Sequence, residues 1–437
     1  MVSIKRRERD AILQSLQAGV VPKIGLQHIQ VGRKDEVEAI IKDLERIAEN
    51  GSAVRFIIGR YGAGKSFFLN LARIVALEKK FVVVQADISP ERRLYSTGGQ
   101  ARTLYSELMR NMCAGAKREG GALPGIVQRW VSDLDFKVRE AGGGESELKK
   151  AIYEELKPLG DLVSGYDFAT VISRYVEGFQ KGDDVLMASA LRWLYAEYTT
   201  KTQAKEELGV RYIIDDRDFY DYLKLMGTFV RMAGYSGLLV CLDEMGVLSH
   251  RLNNTQSRNS NFEMILRMVN DCLQGNVEGL GIIFAGTDDF LDDKRRGLAS
   301  YEALASRLAE NRFAIDGLKD FLGPVIRLQN LSAEDLYVLL FNIRNVFASG
   351  DPAKYLVPDE AINAFLNHCA QTLGSEFYQT PRDATKAFVG LLSVLAQNPG
   401  ARWQDLIGTV ELEQSIESNE ELAVEASIDF ELASFRL

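Results

Sequence analysis

Five short runs of apolar, mostly β-branched residues stand out along the chain, each bounded by glycine, proline or charged residues. Runs of this length without alternation are typical of strands that are buried on both faces of a parallel sheet. Helical or loop stretches separate them, which predicts a doubly wound α/β domain with a five-stranded parallel sheet. The predicted strands lie in residues 56–58, 81–87, 237–244, 281–286 and 324–328.

A long stretch separates the second and third predicted strands. Roughly 150 residues lie between them, whereas a crossover within a compact α/β unit needs only a dozen or so. Apolar residues recur at helical spacing in segments 103–115, 186–200 and 219–233, which predicts a large helical insertion. The aromatic residues around Trp193 and Tyr195 indicate helical core rather than a surface for stacking nucleic-acid bases.

The first predicted strand leads into GRYGAGKS, residues 59–66, and then into an apolar helical start. This strand, loop and helix order, with the pattern G-x-x-x-x-G-K-S, predicts a phosphate-binding loop. Its glycines allow backbone N–H groups to point at an anion, and Lys65 adds a full charge to the outer phosphates. The hydroxyl of Ser66 can ligate Mg²⁺. The nucleotide-binding candidates are Gly59, Tyr61, Gly62, Ala63, Gly64, Lys65, Ser66 and Phe67.

Two acidic residues, Asp243 and Glu244, end the third predicted strand. The carboxyl ends of parallel strands form the crevice where open α/β sheets bind ligands. We therefore expect Asp243 to hold the metal through water and Glu244 to act as the general base toward an attacking water. The alternative is that both acids simply end a strand and cap the next helix.

The composition is that of an ordinary globular protein, with 437 residues, 46% hydrophobic and 26% charged, which allows two or three domains. No uninterrupted apolar run of about 18 residues occurs, and the N-terminus lacks the apolar core of a signal peptide. We therefore expect a cytoplasmic protein with no membrane contact. The four cysteines are isolated in apolar patterns, which predicts buried free thiols.

The net charge of −9 does not favour nucleic acid over the molecule as a whole. A local basic run, Lys294, Arg295 and Arg296, is the best candidate for a DNA contact, and a solvated basic face is the alternative.

The order of these features resembles the AAA+ ATPases, especially their origin-recognition type. The resemblance implies that Thr287, at the fourth strand tip, orients the attacking water, although asparagine is commoner there. It implies that Arg307, in an S-R-L turn, reaches the nucleotide of a neighbouring subunit, with Arg312 as the fallback. It further implies that Arg382, in the sequence T-P-R-D, touches the γ-phosphate from a helical lid, and that backbone at Val31 and Gly32 borders the adenine.

A closer resemblance is to the ATP-binding proteins associated with BREX phage-defence systems. It rests on the N-terminal run ending QVGRKDE, the RYGAGKS loop, the LDE box, GTDDFLDDKRRGLASYEALASRL and TPRDATKAFVGLL. It implies ATP binding and a role in anti-phage defence beside helicases and DNA-modifying enzymes. The predicted domains are an N-terminal helical arm (1–24), an AAA+ core (25–90 and 235–330), a helical insertion (91–234), a helical lid (331–398) and an acidic tail (399–437).

The leading prediction is therefore a Mg²⁺-dependent ATPase that forms homo-oligomers and couples its nucleotide state to a DNA-acting partner such as a helicase. A nucleotide-gated scaffold that hydrolyses ATP poorly and recruits a helicase or nuclease is the first alternative. A protein that remodels DNA directly is the second. A small-molecule kinase is the weakest, because it does not account for the two arginines.

Overall fold

The computed structural model describes residues 4–160, 162–314, 318–373 and 381–408. Within them the chain forms two compact units: one is Arg33–Gln329, and the other combines the described residues on either side of it. The strands are β1 Ser52–Ile58, β2 Val82–Asp87, β3 Leu238–Asp243, β4 Leu280–Gly286 and β5 Val325–Arg327. The α-helices are α1 Arg6–Gln17, α2 Lys34–Ala48, α3 Lys65–Glu78, α4 Gln100–Arg110, α5 Leu123–Glu140, α6 Glu145–Gly160, α7 Gly165–Lys181, α8 Asp184–Leu194, α9 Lys201–Leu208, α10 Phe219–Met232, α11 Gly246–His250, α12 Thr255–Leu273, α13 Asp288–Asp292, α14 Glu302–Arg307, α15 Ala333–Phe347, α16 Asp359–Leu373, α17 Pro381–Gln397 and α18 Trp403–Ile407.

The five strands form one all-parallel sheet in the order β2-β3-β4-β1-β5. All five predicted strands are present, and the predicted α/β class is confirmed. The register pairs Ile58 with Gly286 and with Arg327, and it pairs Asp87 with Asp243. Because the strands are parallel and in step, these strand-end residues all lie along the same carboxyl edge.

Both faces of the sheet are covered, which explains why the strands read as continuous apolar runs rather than alternating ones. Along β1, Phe56 and Ile58 belong to one buried cluster, and Ala53 and Ile57 belong to another on the opposite face. The second cluster is completed by α2 and α3. A sheet buried on both sides leaves its carboxyl edge as the place where polar side chains can meet a ligand.

In the described residues between β2 and β3, seven helices, α4 to α10, form the face opposite α2 and α3. Of these helices, α4 packs on β2 and α10 packs on β3, and the buried side chains of α5 to α9 join the same core mainly through other helices. Trp193 and Leu194 are fully buried, which confirms that this aromatic segment is core. The boundaries predicted for an inserted domain stay a prediction.

The smaller unit is helical throughout its described part. The α1 helix packs against α15 and α17, and Ile12 of α1 is completely buried. Inside the unit, the guanidinium of Arg344 is buried between the rings of Phe341 and Tyr355, and it pairs with Asp359 at 2.5 Å. Within the described part of the chain, no helix is both long and apolar enough to span a bilayer.

Candidate nucleotide site

The predicted phosphate loop connects β1 to α3 at the carboxyl edge of the sheet. Gly62 and Gly64 have φ angles of 76° and 94°, which side chains with a Cβ atom rarely adopt. A Cβ atom placed on Gly64 would meet no atom within 4 Å beyond its chain neighbours, so the positive φ rather than crowding favours glycine there. The first turn of a helix presents backbone N–H groups and the positive end of the helix dipole, which together favour an anion.

Lys65 is the first residue of α3, and its side chain folds back across the loop. The Nζ atom donates hydrogen bonds to the carbonyl oxygens of Gly59 at 2.9 Å and of Arg60 at 3.0 Å. Arg33 supports the loop from outside, because its guanidinium donates to the carbonyl oxygen of Ala63 at 3.3 Å. The ammonium is therefore held at the loop itself, where the outer phosphates of a nucleotide would sit.

Ser66 lies against the acid that ends β3. Its Oγ donates a hydrogen bond to Oδ2 of Asp243 at 2.6 Å, and Oδ1 of Asp243 accepts one from the backbone N–H of Glu244 at 2.8 Å. The side chain of Asp243 is buried, with 5% of the residue exposed. A hydroxyl and a carboxylate this close are the oxygen ligands that Mg²⁺ takes beside a nucleotide, so Ser66 and Asp243 fit the predicted metal.

No group of three or more His, Cys, Asp or Glu side chains in the described residues is arranged to hold a metal ion. Mg²⁺ commonly keeps several waters and uses one or two protein oxygens together with substrate phosphates. The sparse ligand set at Ser66 and Asp243 therefore fits a cation that is bound together with a nucleotide.

Glu244 is exposed at the surface of the crevice, and its backbone has a φ of 56°. Residues other than glycine seldom adopt this left-handed conformation, and such outliers cluster at functional sites. The next residue is fixed in place, because the N–H of Met245 donates to the carbonyl oxygen of Ala285 in β4 at 3.1 Å. The chain thus turns sharply after Asp243 and leaves the Glu244 carboxylate at the edge of the sheet.

Thr287 follows β4 and caps α13, where its hydroxyl accepts a hydrogen bond from the N–H of Phe290 at 3.4 Å. The hydroxyl lies 3.7 Å from the point where a Cβ atom on Gly246 would stand. Thr287 therefore borders the turn that follows Glu244. The fold brings together Lys65, Ser66, Asp243, Glu244 and Thr287 on adjoining strands of one edge.

Arg327 was not among the predicted site residues, although it ends β5 on the same edge. Its guanidinium pairs with Asp288 and Asp292 at 2.9 Å and with Glu310 at 2.5 Å. Burial acts to lower the pKa of Arg327, but hydrogen bonds to Asp292 and Glu310 outweigh it and raise the pKa above its ordinary value. This network joins the residue after Thr287 to the segment that follows α14. In the sequence, the only indication of a role for Arg327 is that this charged residue ends an apolar strand.

Arg307, the predicted finger toward a neighbouring subunit, is engaged within its own chain. The Nε atom donates to Oδ1 of Asn270 in α12 at 2.5 Å, and Nη1 donates to the carbonyl oxygen of Ala303 at 2.8 Å. Arg312, the fallback, lies exposed in the turn after α14. The arrangement in a single chain thus holds Arg307 against α12.

Val31, Gly32 and Arg382 belong to the smaller unit. A Cβ atom on Gly32 would stand 3.5 Å from the carboxylate of Asp335, and one on Gly19 would stand 2.8 Å from Nε of Arg382. Arg382 lies in the first turn of α17, as predicted for a helix that opens at T-P-R-D, while the threonine of that motif lies outside the described residues. The adenine and γ-phosphate roles stay predictions.

The three residues of the basic run after α13 differ in their exposure and in their contacts. Lys294 and Arg295 are exposed, whereas Arg296 donates to the backbone carbonyls of Ser249 at 3.0 Å, His250 at 3.0 Å and Leu252 at 3.3 Å. Arg296 therefore closes the end of α11 and serves the fold. Lys294 and Arg295 remain the candidates for a contact with DNA.

Fold and site together define the class: an α/β protein with a parallel five-stranded sheet, a G-x-x-x-x-G-K-S loop after β1 and an acidic pair after β3. The family described as BREX system ATP-binding protein BrxC/D matches residues 4–411. Because this match spans nearly the whole chain, the protein belongs to that family. No curated protein matches the sequence.

Proposed function

We propose that this protein is a Mg²⁺-dependent ATP hydrolase of the AAA+ type. The observation that carries the proposal is the 2.6 Å contact between Ser66, behind the phosphate loop, and Asp243, at the end of β3. This contact brings together the phosphate loop and the acidic end of β3, the two sequence motifs that nucleotide hydrolysis requires. Membership of a family of ATP-binding proteins supports the choice of nucleotide.

Each residue of the site has a separate task in this proposal. The loop N–H groups and Lys65 bind the phosphates, and Ser66 and Asp243 hold Mg²⁺, which neutralises charge on the outer phosphates. Glu244 takes a proton from the attacking water. The oxygen of that water bonds to the terminal phosphorus, while the bond between this phosphorus and the oxygen that stays with ADP breaks. Thr287 orients this water.

Assembly completes the site in this proposal. Arg307 of a second copy stabilises charge on the terminal phosphate. Hydrolysis should then rise with the fraction of protein that is assembled.

A nucleotide-gated scaffold is the second candidate, and the position of Arg307 favours it for the isolated chain. Its guanidinium is already bound to Asn270 and must leave that partner to reach another subunit. A protein that binds ATP but waits for assembly or a partner would show little turnover alone. The two candidates differ in rate and not in where the nucleotide binds.

The biological role follows from the family. BREX systems act in phage defence, so we propose that the ATP state is coupled to a DNA-acting partner in the cytoplasm, such as a helicase. Lys294 and Arg295 are exposed and would supply any direct contact with DNA from this edge of the molecule.

The test is phosphate release measured against protein concentration, with molar mass read in parallel. The proposal predicts that specific activity rises as oligomers form. Mixing Arg307→Ala with Lys65→Ala subunits should restore part of the activity, because each supplies what the other lacks. A constant, negligible turnover in demonstrably assembled protein would instead support the scaffold, and no recovery in co-assembled mixtures would remove Arg307 from its role.

A further inference from the structure

Two tyrosine rings are exposed side by side with cations on the surface of the helices between β2 and β3. Tyr166, in the first turn of α7, is 66% exposed, and Cζ of Arg211 lies 5.9 Å from the centre of its ring. Tyr212, the next residue after Arg211, is 56% exposed, and Nζ of Lys201 lies 4.8 Å from its ring. The two ring–cation pairs are joined by the peptide bond between Arg211 and Tyr212, and we call these four residues the tyrosine platform.

The platform is fixed to the core rather than carried by a loose loop. The buried carboxylate of Asp167 accepts hydrogen bonds from the backbone N–H groups of Arg211 at 3.2 Å and of Tyr212 at 2.9 Å. The buried indole of Trp193 donates to the carbonyl oxygen of Tyr212 at 3.0 Å. Because the backbone beneath the rings is already ordered, ligand binding would not carry the free-energy cost of that ordering.

The cations of the platform are available to a ligand. Among the described residues, neither Lys201 nor Arg211 forms an ion pair, whereas Arg110, Arg174 and Arg192 of the same helices each pair with a glutamate. Lys201 does act on the carboxylate of Asp218 at the start of α10, whose pKa is raised by burial.

We propose that the tyrosine platform binds single-stranded nucleic acid. Exposed aromatic rings stack on unpaired bases of any sequence, and each of these rings carries over one face a cation that matches the phosphate accompanying each base. Duplex DNA cannot use the rings in this way, because its bases are stacked inside the helix. The platform is separate in sequence from both the nucleotide site and the exposed Lys294 and Arg295, so the inference does not depend on the ATPase proposal.

The test is fluorescence anisotropy of a labelled oligothymidylate of about 12 nucleotides, the site size of a small stacking module, without ATP. The full-length protein should bind this probe and should bind a duplex of equal length more weakly. Replacing Tyr166 and Tyr212 by alanine should weaken binding at least about fivefold per ring, the lower limit for removal of an aromatic–base stack. Phenylalanine at both positions should retain most of the affinity.

Tyr153→Ala in α6 is the matched control. This ring is 69% exposed but has no cation over it in the described residues, so its removal should leave the affinity unchanged. Replacing Lys201 and Arg211 by glutamine should lower the slope of log affinity against log salt by about 0.7 for each phosphate that the variant no longer neutralises. All variants should unfold in urea with the midpoint of the wild type, which confirms that they are folded.

Three results would overturn the inference. The first is no binding of the oligothymidylate by the wild type at low salt. The second is wild-type affinity in the variant that lacks Tyr166 and Tyr212. The third is a preference for the duplex. A fourth result would assign the platform to a protein partner instead: displacement of the labelled oligothymidylate by an acidic peptide at concentrations well below those at which unlabelled oligonucleotide displaces it.

Discussion

Two substitutions at Glu244 separate the energetic cost of its backbone conformation from the chemical role of its carboxylate. A residue with a Cβ atom in the left-handed region costs roughly 1–2 kcal/mol, and the φ of 56° places Glu244 there. Glycine removes this cost but gains about 0.5–1 kcal/mol of freedom in the unfolded chain. The expected net effect of Glu244→Gly is therefore a gain in stability of roughly 0–1.5 kcal/mol, and about 0.75 kcal/mol at the middle of both ranges.

Glu244→Gln keeps the backbone cost and removes only the carboxylate. Its stability should stay within about 0.5 kcal/mol of the wild type, as is usual for an exposed side chain. Both variants lack the general base, so both should lose roughly 10²- to 10⁴-fold in turnover. Both keep Lys65, Ser66 and Asp243, so ATP should still bind.

Urea unfolding measures the stability difference, and phosphate release at saturating Mg²⁺ and ATP measures turnover. The expected order of urea midpoints is Glu244→Gly above wild type, with Glu244→Gln equal to wild type. A urea midpoint for Glu244→Gly below that of the wild type would refute the claim that this position is strained. Wild-type turnover in Glu244→Gln would refute its role as the base.

Two further predictions concern the core. Asp43→Ala leaves the buried guanidinium of Arg55 without its 2.5 Å partner and should lower the free energy of unfolding in urea by about 3–5 kcal/mol. The double variant Asp43→Leu with Arg55→Met should recover most of this loss. If the costs of the two single substitutions simply add in the double variant, the two side chains are not coupled. A second prediction concerns three buried thiols. Burial raises the pKa of Cys241, Cys272 and Cys369 from 9.0 to about 12, so at pH 8 the thiolate fraction of each should be roughly 1000-fold lower than that of an ordinary cysteine. Peptide mapping after iodoacetamide should find them labelled only in denaturant, and rapid labelling of folded protein would contradict this burial.

Local pattern was sufficient to predict the five strands and the strand, loop and helix order around residues 59–66. Strands buried on both faces leave an uninterrupted apolar signal, and the glycine, lysine and serine spacing depends on one continuous segment. The nearness of Ser66 to Asp243 also followed, because the carboxyl ends of parallel strands meet at one edge. The free, buried state of all four cysteines is confirmed for the same reason: isolated cysteines in apolar patterns behave as small core residues.

Contacts between distant segments could not be predicted in this way. Nothing near Arg307 in the sequence indicates that Asn270, in another helix, accepts its hydrogen bond. Arg296 belongs to a basic run that indicates a solvated or DNA-binding face, yet its partners are backbone carbonyls at the end of α11. Side-chain identity predicts charge, but tertiary packing decides whether that charge meets solvent, backbone or an acid.

The same limit hid the network at Arg327 and the tyrosine platform. Each depends on residues brought together by strand order and helix packing, such as Asp288 beside β5 or Tyr166 beside Arg211. Hydrophobic periodicity assigns these positions to elements but does not say which elements adjoin. The order β2-β3-β4-β1-β5 supplies that information for the sheet.

The proposed function depends above all on ATP binding at the loop that begins α3. Calorimetric titration of ATP with Mg²⁺ into wild type, Lys65→Ala and Lys79→Ala is the decisive measurement. Lys79 lies at the other end of α3 in a surface pair with Glu45, so it serves as the matched control. We predict binding by wild type and Lys79→Ala and none by Lys65→Ala; ATP affinity retained in Lys65→Ala would contradict the assignment of this loop.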